Sequence, residues 1–257
     1  MCKGMKKIIY ILIILLSNFS IAQNNELFTN ANILYNEGKY QESIQSYEKI
    51  LKNGVHSSDL YFNLANAYYK LNEIALSIYY YEKAKQLSPN DKDIENNMSF
   101  AQNMTVDEID NIPETGLSKI ITSITNLFSF DGWAMFSVAF VFLFAILFLG
   151  YYFSYSTVKK RLSFVVSFIV LFFAAVTLFL AFQKEAYSKN DKPAIVFAQE
   201  SAIKNEPNLR SETAFVLHEG TKVQVLETYN KNWTKVKIAN GKTGWIANAD
   251  IKPLKDF

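Results

Sequence analysis

WAMFSVAFVFLFAILFLGYYF, residues 133–153, and LSFVVSFIVLFFAAVTLFLAFQ, residues 162–183, decide the fold. The first lies within 27 uncharged residues between Asp131 and Lys159, and the second fills the 22 positions between Arg161 and Lys184. A helix needs about 20 apolar residues to cross the hydrocarbon of a bilayer. A lone strand is excluded there, because its edge amides and carbonyls would find no partner in lipid. The two runs therefore read as transmembrane helices over 132–155 and 162–183; the alternative is one buried hairpin of a soluble protein. Neither run holds an ionisable side chain, the kind of group a proton relay or ion path requires, so transport loses its support. Ser137, Ser167, Thr177, Gly150 and the Ala174-Ala175 pair read as helix-packing positions of an anchor.

The connection at 156–161, STVKKR, carries Lys159, Lys160 and Arg161 and no acid. By the positive-inside rule it is a cytoplasmic loop, which puts the polar blocks on either side of the hairpin outside. Residues 1–22, MCKGMKKIIYILIILLSNFSIA, have lysines, then an apolar run, then small residues, the layout of a signal peptide cleaved after Ala22. A retained anchor is the alternative. A signal would deliver the amino-terminal block outward, so both arguments predict a two-pass protein of a bacterial inner membrane with its two soluble blocks periplasmic. The sole cysteine, Cys2, would leave with the signal, removing disulfide, thiolate and cysteine-ligand chemistry. The full chain has net charge +2, and 23 basic residues face 24 acidic ones after residue 22. That balance, with no basic tract, disfavours nucleic acid as a partner.

Before the membrane, residues 27–90 match themselves at an offset of 34: Leu27 with Tyr61, Ala31 with Ala65, Leu34 with Tyr68, Ser43 with Ser77, Tyr47 with Tyr81, Ile50 with Ala84. Small residues alternating with large ones at helical spacing are what close-packed antiparallel helix pairs require. Asn36-Glu37-Gly38-Lys39 and Leu71-Asn72-Glu73 supply polar turns, and Pro89 closes the second unit. This pattern resembles the tetratricopeptide repeat family. The unit 58–91 fits best, through Leu64, Ala65, Tyr68, Tyr81, Ala84 and Pro89; the first unit has Ser43 and Val55 where the family commonly has Ala and Pro. Residues 91–103 read as a third, capping helix, ending a repeat domain over 23–103.

The resemblance implies a concave peptide-binding surface formed by Phe28, Asn32, Tyr35 and Asn36 of the first unit and Phe62, Asn66, Tyr69 and Lys70 of the second. The asparagines would hydrogen-bond a ligand backbone and the tyrosines supply ordered contact area. The alternative is that all eight are ordinary solvated helix positions. Residues 23–118 hold 14 acids against 7 basic residues, which favours a neutral or basic partner over an acidic one. Residues 104–131 form a linker whose Leu117, Ile120, Ile121, Ile124, Leu127 and Phe128 recur at helical spacing. They predict an amphipathic helix lying on the bilayer or, alternatively, packed on the repeats.

After the membrane, 184–257 changes period. AIVFA, AFVLH, KVQVLETY, WTKVKIA and KTGWIA are short β-rich runs separated by turn residues, predicting a small antiparallel barrel. Asn208-Leu209-Arg210-Ser211, Glu219-Gly220, Trp233, Gly241 and Gly244-Trp245-Ile246, in that order, resemble a bacterial SH3-like domain. Such domains are binding modules, which implies a ligand patch of Tyr229, Trp233 and Trp245 with Arg210; core packing is the competing role for Trp245 in so small a barrel. Gly220, Gly241 and Gly244 read as tight-turn glycines.

His56 and His218 stand apart without metal-ligand spacing, and no phosphate-binding glycine loop or nucleophile motif is present. The expectation is no catalytic residue, no metal and no cofactor. The full order of a multidomain membrane protein, with a helical repeat solenoid, two transmembrane helices and a small all-β SH3-like barrel, resembles the aerotolerance (Bat) proteins of Bacteroidetes. It implies a scaffold role in a stress-tolerance complex, with Bat-type membrane or periplasmic subunits as protein partners, the lipid bilayer as support and peptidoglycan as a further ligand. A wall sensor, or a regulatory subunit of a cell-wall enzyme, is the alternative.

Overall fold

A computed structural model describes residues 23–109 and 116–254. The expected signal at 1–22 lies outside the described residues. The chain forms two compact units, one combining the repeat region with the carboxy-terminal β region and the other spanning Asn111–Lys192.

The repeat region is five helices: α1 (residues 23–36), α2 (Tyr40–Lys52), α3 (Ser58–Lys70), α4 (Ile74–Leu87) and α5 (Lys92–Gln102). The starts of α3 and α5 are capped by Ser57, which accepts from the Leu60 amide, and by Asp91, which accepts from those of Asp93 and Ile94. The first two pairs close through one left-handed residue, Gly38 (φ 77°) and Asn72 (φ 61°), again 34 apart. In each, the following amide returns to a carbonyl five residues back, Lys39 to Leu34 and Glu73 to Tyr68, satisfying an orphan carbonyl of the helix end. Ala31 and Ala65 are fully buried, and the carbonyl of each accepts a hydroxyl from the paired helix, Ser43 Oγ at 2.9 Å and Ser77 Oγ at 3.0 Å. The expected small-residue contact is thus also a polar one. Ser43, which loosened the fit of the first unit, does there what Ser77 does in the second.

The β region holds β1 (Pro193–Val196), β2 (Glu200–Lys204), β3 (Thr213–His218), β4 (Lys222–Tyr229), β5 (Trp233–Lys237), β6 (Thr243–Ala247) and β7 (Ile251–Pro253). All pairings are antiparallel, in the order β3-β2-β6-β5-β4-β1-β7, with irregularities at Ile203/Lys204 and Val225/Glu227. This is one seven-stranded sheet whose end strands are β3 and β7; the pairing series does not itself close the expected ring. Ala194, Val196, Ile203, Leu217, Val223, Val236, Ile238 and Ile246 form its core. Gly244 corrects the turn reading: it lies in β6, where an added Cβ would fall within 3.0 Å of Ile203 Cγ2 and 3.1 Å from the Lys204 carbonyl oxygen. Gly220 (φ 84°) and Gly241 (φ 87°) do occupy turns.

Strand β1 is buried at all four positions. Side chains alternate across a strand, and here both faces are covered: Ala194 and Val196 enter the sheet core, while Ile195, with Leu254, joins the hydrophobic core of the repeats. Phe197 continues that contact, meeting Tyr79 of α4 edge-on with ring centres 5.8 Å apart.

In the second unit α6 (Leu117–Thr125) precedes α7 (Phe130–Phe153) and α8 (Thr157–Asn190), the last two antiparallel and long and apolar enough to cross a membrane. Ser129 caps α7, and Ser137 Oγ donates to the Ala174 carbonyl across the pair at 3.0 Å, a packing role as expected. The expected loop at 156–161 is shorter: Ser154-Tyr155-Ser156 makes the turn, and Lys159, Lys160 and Arg161 lie in the first turns of α8. Lysine and arginine are good helix formers and nothing there breaks the helix. At its other end α8 runs past Gln183 to Asn190, so its 34 residues reach about 51 Å at 1.5 Å per residue. Helix α6 is tied to this pair, for Trp133 Nε1 donates to the Thr125 carbonyl and Lys184 Nζ to Asn126 Oδ1. Its Ile120, Ile121 and Ile124 are exposed.

Candidate binding groove and aromatic face

Helices α1 and α3 are the first helices of their units, and side chains on their shared face line a polar cleft of about 260 Å³. Its walls are Asn32, Tyr35, Asn36, Tyr47, Asn63 and Asn66. Four of the eight sequence candidates, Asn32, Tyr35, Asn36 and Asn66, therefore converge on it. Phe28 and Phe62 instead meet Tyr47 and Tyr81 in tilted ring contacts, at 5.8 and 6.0 Å between ring centres. Tyr69 is half-buried and Lys70 exposed on α3, neither among the cleft-lining residues.

The two asparagines are positioned by the repeat itself. The Tyr47 hydroxyl donates to Asn32 Oδ1 at 2.5 Å, and 34 residues later Tyr81 donates to Asn66 Oδ1 at the same distance. Asn63 Nδ2 adds a second donor to Asn32 Oδ1 at 3.1 Å. Both lone pairs of the Asn32 carbonyl oxygen are thereby used, leaving its amide hydrogens as the groups it offers a ligand. Burial pushes the Tyr47 hydroxyl up to about 12 and raises that of Tyr81 further, so both stay protonated as donors. Asn63 and Tyr47 are the lining residues missed in the sequence. Asn63 sits one turn before Asn66 on one helix face, a spacing that would have found it.

In the β region Trp245 is half-buried, and the neighbouring Ile246 is the fully buried residue of β6. The core role for Trp245 is therefore replaced by a place on the outer face. The register sets Trp233 opposite Tyr229 and Ala247, and Lys235 opposite Trp245. Tyr229 meets Trp245 edge-on at 6.1 Å, while Lys235 Nζ lies 5.7 Å from the indole centre and 3.4 Å from Glu227. Tyr229, Trp233 and Trp245 thus share one face with a cation beside them. Arg210 is exposed in the β2–β3 loop, where its backbone amide donates to Asn208 Oδ1; the cation beside the rings is Lys235.

Among the described residues no cluster of His, Cys, Asp or Glu has the makings of a metal site. The Nδ1 of His218 is 2.7 Å from Asp107 Oδ1. His56 Nδ1 pairs with the Tyr61 hydroxyl at 2.6 Å.

Residues 28–53 and 58–91 match tetratricopeptide repeat models, and residues 202–252 match the bacterial SH3 domain. The match 58–91 has the bounds read for the second unit. The chain is also similar to the cell wall-binding protein YwsB of Bacillus subtilis, with 32% identity over 63 residues, 24% of this chain and 35% of that one. It spans about a third of the length of that curated relative. The chain carries a tetratricopeptide repeat region and a bacterial SH3-like domain, modules that bind other proteins and catalyse nothing.

Proposed function

We propose that the protein is a membrane-anchored, non-catalytic adaptor whose repeat cleft holds an extended segment of a neutral or basic protein. The observation that carries this reading is the duplicated Tyr–Asn pair, which fixes two carboxamides 34 residues apart at the cleft and turns amide donors toward a ligand's carbonyls. The α7–α8 hairpin is the anchor. An even number of crossings between residue 109 and residue 193 puts the repeats and the β region on one side, consistent with their belonging to one compact unit. The cation triplet at the start of α8 favours the cytoplasm for the turn and the periplasm for the modules. Helix α6, with isoleucines exposed beside the hairpin, lies at the bilayer surface. The module order is that of a BatE-like subunit, and other Bat-type subunits of a stress-tolerance complex are the partners.

Crosslinking in native membranes, followed by affinity isolation and mass spectrometry, tests this. Asn32 braces the fold, so the informative variants are Asn36→Ala and Tyr35→Ala. Loss of one specific membrane-protein partner at unchanged abundance and melting temperature supports the adaptor; recovery of the same partners removes the cleft from the reading.

A second reading, an envelope sensor, rests on the aromatic face of the β region and on the similarity to a cell wall-binding protein. Co-sedimentation with purified peptidoglycan, lost on Trp233→Ala and Trp245→Ala, would favour it.

A further inference from the structure

The SH3-type match begins at residue 202, leaving β1 outside it, and β1 is the strand that sends a side chain, Ile195, into the repeat core. Around it lies a built contact. Ile195 and Leu254 are fully buried in the repeat core. Glu82 of α4, its side chain only 8% exposed, pairs with Lys222 of β4 at 2.7 Å. Lys252 Nζ lies 4.4 Å from the ring centre of Tyr79, itself buried on α4.

Beyond α5 the chain passes the β3–β4 turn, where Asp107 gathers three donors. Its Oδ2 accepts from the His218 amide at 2.7 Å and the Thr221 hydroxyl at 2.6 Å, and its Oδ1 from the His218 ring at 2.7 Å. Gly220 in that turn has no room for a side chain: a Cβ would lie 2.8 Å from Thr105 Cγ2 and 3.0 Å from Ile78 Cδ1. A half-buried carboxylate with three donors, a positive-φ glycine under a helix, and Ile195 of β1 with Leu254 after β7 in a helical core are independent signs of one fitted surface.

We propose that the β region is the carboxy-terminal cap of the repeat array. A solenoid unit leaves an apolar face for its successor, and an array needs a terminal unit that covers it. Here α5 covers part of that face, and β1 with the β3–β4 turn covers a further part of α4, around Ile74, Ile78, Tyr79 and Glu82. The surface formed by β1, the β3–β4 turn and Leu254 has the protein's own repeats as its partner. An outside ligand is left the face carrying Tyr229, Trp233 and Trp245, and what binds there meets a module joined to the cleft rather than one on a tether.

The test uses the full chain in membranes with Cys2→Ser, then Asp107→Cys and Thr221→Cys together, whose side chains touch across 114 positions of sequence. Oxidation should close one intramolecular disulfide, seen as a mobility shift without reductant. In that background Glu82→Lys or Lys222→Glu alone should slow closure about tenfold, since each sets two like charges face to face at the contact, and the double reversal should restore most of the rate. Absence of the disulfide while the protein stays protease-resistant, or charge reversals that merely add, overturns the cap. Asn36→Ala, which bears on the cleft alone, should leave closure unchanged, so this proposal and the adaptor reading can fail separately.

Discussion

At the scale of single residues, two glycines separate two physical causes. Gly38 has nothing within 4 Å of a hypothetical Cβ, yet its φ is 77°. Gly38→Ala should therefore cost about 1–2 kcal/mol through backbone strain alone, read by chemical denaturation. Gly244 has ordinary backbone and no room, so Gly244→Ala should cost about 1–3 kcal/mol through overpacking against Ile203. Asp107 has a third kind of effect. Burial acts to raise its carboxyl, but hydrogen bonds from Thr221 and from the ring and amide of His218 outweigh it and hold it below the ordinary value. A depressed folded-state value contributes stability that is present above the unfolded value of about 3.9 and lost as pH falls through the folded one. Asp107→Asn should be less stable at neutral pH and show a flatter fall in melting temperature below about pH 4.5. Sequence reasoning saw these residues only as types. Gly244 looked like a turn because its obstacle, Ile203, comes from a strand and lies 41 positions away, and Asp107 looked like linker because all its donors lie beyond the α7–α8 hairpin.

At the scale of elements, what repeats in sequence repeats in bonds. Tyr47→Phe and Tyr81→Phe each remove one donor from an asparagine carbonyl, and each should cost about 1 kcal/mol. After Tyr47→Phe the Asn32 carbonyl keeps the Asn63 amide as a donor, so the Tyr81→Phe loss should equal or exceed the Tyr47→Phe loss; a Tyr47→Phe loss larger by more than about 1 kcal/mol would overturn this. The 34-residue period made the helix pairs readable, since packing at a fixed interval leaves its mark in residue size. Four cleft residues came instead from what the family resemblance implies for the first helix of each unit. Asn63 was missed because its counterpart in the first unit is Thr29, so period alone did not mark it. Strand β2 was also missed, for ESAIK alternates polar and apolar without the aromatic or β-branched weight of its neighbours.

For the molecule as a whole, the hairpin is legible and its surroundings are not. Uncharged length predicts the two long helices, whereas the joining of repeats to β region depends on Ile195 and Leu254, apolar residues like any others in a β-rich segment. The arrangement predicts a labelling pattern. In sealed membrane vesicles from cells expressing the protein with Cys2→Ser, a cysteine at Ser156 should react with an impermeant reagent on the side opposite to one placed at Asn53 or Lys242. Reaction of all three from one side would deny that the hairpin crosses the bilayer.

The cap lies far downstream of what it covers. Ribosomes add about 5–20 residues per second, so the 90 residues between α5 and β1 amount to several seconds of synthesis. For that interval α4 has emerged with Ile78 and Tyr79 uncovered, and the whole α7–α8 hairpin is made before their cover exists. The newborn chain thus passes through a sticky adolescence, in which a holding chaperone at the membrane, or a second copy waiting with its own face bare, competes for the place that β1 later takes.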